Sequence, residues 1–291
     1  MTTSTRDTES RNGSARRGTG DRQPHLFPRQ ATLRTIPRLQ AGYRHDVPAA
    51  VAAVARLRRE AGRDVYSSPT GWGLDHLEAL THLREEQRQR DEKQHEGQPA
   101  PQHVSSTYRE RAEREAESQD QAVHLAVTLW ALHQQSLRDE PMHVSGWPLG
   151  RAVRRLAHGK TGVQDPPTAP NASREGAEDK RGDSEPVEEI SATVRKRFVR
   201  IGTSTDLETL GVRLREMVLL LRASRIPLDY GLLADQLYLW QDENRRDDAR
   251  RAWGREFHFT YGKNGGRGSD EGSTPPLNEV PLDFTSADAG D

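Results

Sequence analysis

Apolar residues recur in this chain at helical spacing and never in convincing strand alternation, so the pattern predicts helices separated by glycine and proline. A first helix is expected over Pro48–Ala61, with Pro48 in its first turn and Val51, Val54, Ala55 and Leu57 or Arg58 on one side. After the loop SSPTGWG a shorter helix is expected around Leu74–Arg84. The segment QAVHLAVTLWALHQQS, from Gln121, is apolar almost all round and is expected to be the buried centre of the fold. Downstream, LGRAVRRLAHGK makes a short helix, and Val194, Phe198 and Ile201 give the next a thin apolar seam. Leu207, Leu210, Leu214, Met217, Val218 and Leu221 form a continuous stripe, with Thr205 and Glu208 placed as a capping box and Pro227 as a stop. Asp229 is positioned to cap a helix whose face is Leu232, Leu233, Gln236, Leu237 and Trp240. A final arginine-dense helix is held by Ala249, Ala252, Trp253 and Phe257.

The fold expected is therefore all-α, a multi-helix bundle in two small helical halves with disordered tails and inserts. Residues 1–45 read as a disordered basic tail. Residues 46–160 are the N-terminal half, with a polar insert at 85–117 that is helical at its ends. An acidic disordered insert at 161–190 leads to the C-terminal half, 191–261, and residues 262–291 read as an acidic disordered tail. Composition supports this division, because only 32% of the 291 residues are hydrophobic and 30% are charged, too little apolar material for a core of that length.

Charge changes the picture further. The formal net charge is −1, yet 164–190 and 264–291 each carry net −5, which leaves +9 on the remainder. A basic folded portion is the electrostatic footprint of a nucleic-acid partner. Arg56, Arg58, Arg59 and Arg63 cluster near the end of the first helix; Arg151, Arg154, Arg155 and Lys160 fall within ten residues without an acid. Arg195, Lys196, Arg197 and Arg200 follow, then Arg245, Arg246, Arg250, Arg251 and Arg255. Arg250 and Arg251 could equally pair with Asp247 and Asp248 along their helix.

Other chemistry finds little support. The chain has no cysteine, so disulfides and thiolate metal sites are excluded. His76, Glu78 and His82 do not make an HExxH pair, and His124 and His133 read as core histidines. Ser136 has no arranged base and acid, and GKNGGRG (262–268) is a flexible tail rather than a phosphate cradle. Trp130, Trp240 and Trp253 fall on apolar faces. No cofactor, metal or catalytic residue is expected. The N-terminus lacks an apolar signal region and no stretch is long enough to span a membrane, so a cytoplasmic protein with no membrane partner is expected.

Six segments in series, ALHQQS (131–136), SGWPLGRAVRRL (145–156), VRKRF (194–198), IPLDY (226–230), QLYLWQ (236–241) and RRAWGREF (250–257), resemble the CasB family, the small subunit of the type I-E CRISPR complex Cascade. The likeness covers Gln121–Phe259 and, through the LRR of Leu57–Arg59, Val47–Ala61; it gives no counterpart for 1–45, 85–117, 161–190 or 262–291. It implies a non-enzymatic helical protein that pairs with a second copy of itself inside a crRNA-containing complex of other Cascade subunits. There it would hold the target DNA and the displaced single strand of the R-loop. Carried over by position, the resemblance marks Arg58, Arg59, Arg151, Lys196, Arg197, Arg215, Arg245 and Arg246; Arg154 and Arg155 join them from local charge alone. The other function class left open is an interaction module whose basic face docks an acidic protein surface.

Overall fold

The computed structural model describes residues 26–66, 75–94, 106–163 and 191–259. Over these the chain forms α1 (Phe27–Arg44), α2 (Pro48–Glu60), α3 (Asp75–Gln94), α4 (Ser106–Gln134), α5 (Leu149–Ala157), α6 (Ala192–Gly202), α7 (Leu207–Ala223), α8 (Tyr230–Gln241) and α9 (Arg246–His258). No strand occurs among the described residues beyond an isolated bridge between His143 and Leu228, so the fold is all-α.

Helix α4 is the axis. From Ala122 to Gln134 it is buried almost continuously, with Trp130 fully enclosed, because a helix apolar all round gains only by being surrounded. Helices α1, α2, α3, α7 and α8 pack on it, and α9 closes the end formed by α5 and α8. Helices on both sides of 161–190 contribute to one hydrophobic cluster that includes Ile36, Leu57, Val153, Leu214, Leu237 and Trp253.

The expected disordered tail is corrected over its last two fifths. Residues Phe27–Arg44 form α1, which buries Ala31, Ile36, Leu39 and Tyr43 against α3, α4 and α8. Its polar composition hides this, because Thr32 and Thr35 are buried with their hydroxyls donating to the carbonyls of Pro28 and Ala31 at 2.7 and 3.0 Å. The peptide N–H of Arg29, which the helix itself cannot satisfy, donates to the Asp235 carboxylate of α8 at 3.0 Å. The polar insert is helical at both ends: α3 runs on to Gln94 and α4 begins at Ser106. Ion pairs supply what apolar burial does not, notably the two-pronged Arg34–Glu86 contact at 3.0 and 3.1 Å and Glu110–Arg114 at 3.6 Å. The SSPTGWG loop, the acidic insert from 164 and the tail from 260 lie outside the described residues.

Two caps show how local sequence fixes helix starts. Asp229 caps α8 by accepting from the Leu232 N–H at 3.0 Å, as expected. In α7 the cap is Asp206, which accepts from the Thr209 N–H at 2.7 Å, rather than Thr205, whose hydroxyl instead donates to the Asp206 carboxylate. The carboxylate wins because a charged acceptor makes the stronger bond to an orphan N–H.

Candidate nucleic-acid interface

Cations from four helices are linked through α7. Arg215 of α7 donates to the Ala61 carbonyl just past α2 at 2.8 Å, holding the end of the helix that carries Arg58 and Arg59. Its neighbour Glu216 lies 3.9 Å from Arg197 of α6, beside Lys196. Two residues earlier, Arg213 donates to the Arg200 carbonyl and to the Ser204 hydroxyl, and the Ser204 carbonyl accepts from Arg250 of α9 at 3.1 Å. The contacts thus tie the ends of α2 and α6 to α7, and the turn after α6 to α9, each through an arginine. Since cations at helix C-termini also complement the helix dipole, three of these sites stabilise the fold as well as charging its surface.

The ten predicted positions then separate by what each side chain already does. Arg154 donates to the carbonyls of Phe257 and His258 at 3.1 and 3.3 Å, closing the end of α9. Arg155 takes the carbonyls of Thr161 and Gly162. Arg151 bonds the Gly146 carbonyl and lies 4.0 Å from the centre of the Trp147 ring, while Arg246 bonds the Trp240 carbonyl and lies 4.5 Å over that ring. Arg215 and Arg197 are engaged as described above. By contrast, the side chains of Arg58, Arg59, Lys196 and Arg245 make no hydrogen bond or ion pair to another described residue, and all but half-buried Arg58 are exposed. Arg250 and Arg251 do pair with Asp247 and Asp248, at 3.1 and 3.2 Å.

Sequence reasoning missed the device that brings α5 against α9. A Cβ at Gly150 would meet the Trp253 carbonyl at 2.4 Å and the Phe257 nitrogen at 2.5 Å, so only glycine allows this crossing. Glu256 seals it, accepting from the Gly150 N–H at 3.2 Å and from Gln236 at 2.8 Å, with burial raising its pKa. The glycine in LGRA was the available signal.

The histidines serve the interior. His76 and His124 face each other with Nε2 and Nδ1 3.3 Å apart, and His133 Nδ1 is 2.8 Å from the Tyr230 hydroxyl. Burial holds His76 and His133 down to about 3 and lowers His124 as well. Trp130, Trp240 and Trp253 are buried core residues. Among the described residues no group of three His, Asp or Glu side chains is arranged to hold a metal ion, and no helix is long and apolar enough to cross a membrane.

The model of the family "CRISPR-associated protein Cse2" matches residues 53–258. The crystal structure of CasB from Thermobifida fusca is 35% identical, with 81% of this chain and 100% of that one covered and a TM-score of 0.54. CasB from Thermus thermophilus is 19% identical over 80% of this chain and 99% of its own, with a TM-score of 0.45. No curated protein matches. A family match across most of the chain, a 35% identical relative covered end to end and the all-helical fold agree: the chain belongs to the Cse2 (CasB) family and is thereby a CRISPR Cascade subunit.

Proposed function

We propose that this chain is a non-catalytic small subunit that binds nucleic acid and stabilises the target and displaced DNA strands of the R-loop in a type I-E surveillance complex. One observation carries the reading. The fold ties the ends of α2 and α6 to α7 and α9, and among the described residues it leaves the side chains of Arg58, Arg59, Lys196 and Arg245 without a hydrogen bond or ion pair, available to phosphate. Exchange of a DNA duplex for an RNA–DNA hybrid is nearly balanced in energy, so modest backbone contacts tip it. Single strands are gripped by such cations without sequence readout. The partners are the target and displaced DNA, the crRNA-containing complex, other Cascade subunits and a second copy of this chain, in a cytoplasmic setting.

The test is an assembled complex carrying Arg59→Glu with Lys196→Glu. Its target DNA should dissociate faster while subunit content by native mass stays unchanged. If the variant instead falls out of the complex while the free protein binds DNA normally, these cations form a protein interface, and docking to an acidic partner surface is the correct function.

A further inference from the structure

A cleft of about 210 Å³ opens between α6 and α9. Its apolar wall is Phe198 stacked on Phe257, with ring centres 5.1 Å apart, together with Trp253 and Val199, the last 57% exposed. The cleft exists because two residues lack side chains: a Cβ built at Gly202 or Gly254 would meet nothing within 4 Å. Gly254 lies inside α9, where glycine is a poor helix former and alanine would fit, so the open slot is kept at a cost in helix stability.

The polar lining is Arg195, Arg250 and His258, with no carboxylate among the lining residues. Arg250 places its two terminal nitrogens on Asp247 and the Ser204 carbonyl, yet its Nε–H is buried without a partner. A buried donor left in this state is costly, and a ligand acceptor that reached it would remove the cost. The ligand chemistry this describes is a small group with an apolar face and hydrogen-bond acceptors, joined to an anion.

We propose that the α6/α9 cleft receives one unpaired nucleobase of the bound strand, its face against Phe198 and its flanking phosphate at Arg195 and Arg250. The proposal rests on the nucleic-acid reading above and adds to it a site for a base. The cleft's small volume suits a single base rather than a helix or an extended peptide, and its cationic rim suits the phosphodiester.

The test compares binding of a dye-labelled oligothymidylate with a strand of equal length made of abasic residues, using the full chain at fixed salt. Stacking on an aromatic side chain predicts that wild type prefers the base-bearing strand by about 5-fold or more. Gly254→Leu and, independently, Gly202→Leu fill the slot and remove no cation. Each should lose that preference while keeping wild-type affinity for the abasic strand and an unchanged salt slope. Thermal melting establishes that both variants are folded. A wild type without preference, or a preference that survives in both filled variants, overturns the base site while leaving strand binding intact. A wild type that binds neither strand overturns the nucleic-acid reading itself. Filled variants that leave DNA binding unchanged but lose a neighbouring subunit by native mass would make the cleft a protein socket.

Discussion

The arginines of α5 and the cations of α2 and α6 look alike as sequence and differ as structure. Arg154 and Arg155 are engaged with backbone carbonyls, and Arg151 leans on Trp147. On α2, Arg59 projects from an end whose Ala61 carbonyl is already met by Arg215, and on α6 Lys196 is exposed. A local excess of charge therefore does two jobs in this protein: in one region it closes helix ends and in the other it remains available at the surface. Density of charge cannot distinguish them, because the distinction depends on which carbonyl each guanidinium reaches.

The largest effect expected from polar groups committed to the interior is on acid stability. His76 and His133 are held neutral by burial down to about pH 3. The unfolded chain takes up those protons below an ordinary histidine pKa of about 6.5, so stability falls as pH drops from about 6.5 toward 3. The loss should reach about 2 kcal/mol for each histidine at pH 5. Asp235 works the other way, since burial pushes it up to about 7. Below that pH the native state binds a proton that the unfolded state does not, and this contribution is lost as pH rises through 7. Asp235→Asn keeps an acceptor for the Arg29 N–H and removes the compensation. Its unfolding free energy should fall by about 4 kcal/mol between pH 7 and 5, more steeply than wild type, and its advantage over wild type should be greatest above pH 7, where the native Asp235 must ionise in its buried setting. Parallel wild-type and variant profiles from urea unfolding would break this account of the interior.

Next in size is the difference between the two basic regions in stability. Arg154→Ala opens the carbonyl end of α9 and should lower unfolding free energy by about 1–2 kcal/mol, moving Tm down by several degrees. Lys196→Ala should change it by less than about 0.5 kcal/mol. Equal shifts in calorimetry would erase the distinction between engaged and available cations.

What could be read in advance follows the same logic. Helix α4 was legible because Trp130, Val123 and their neighbours are apolar whichever way the helix turns, and Asp229 because a carboxylate at a helix start has a local job. Helix α1 was not, because its core face mixes Ile36, Leu39 and Tyr43 with Thr32 and Thr35, in a segment that also carries Pro28, Pro37 and several arginines. The recurrence of Ala31, Thr35, Leu39 and Tyr43 at helical spacing was present, but threonine counts as apolar only once its hydroxyl is returned to the preceding turn. The family was legible from motifs such as SGWPLGRAVRRL, and the structure now gives some of them physical sense: Gly150 permits a helix crossing and Arg154 closes it. Which cations remain available was illegible, because Arg215 and Ala61, or Arg250 and Ser204, meet only after folding.

The most direct measurement is the salt dependence of DNA retention by complexes assembled with wild type, with Arg59→Ala plus Lys196→Ala, and with Arg151→Ala plus Arg155→Ala. If phosphate is held by the available cations, the first double variant should lower the slope of log affinity against log salt by roughly 1 per contact removed, for every target sequence tested. The second should leave the slope near wild type while lowering Tm. A slope that falls only in the second variant would contradict the account and assign the strand to α5.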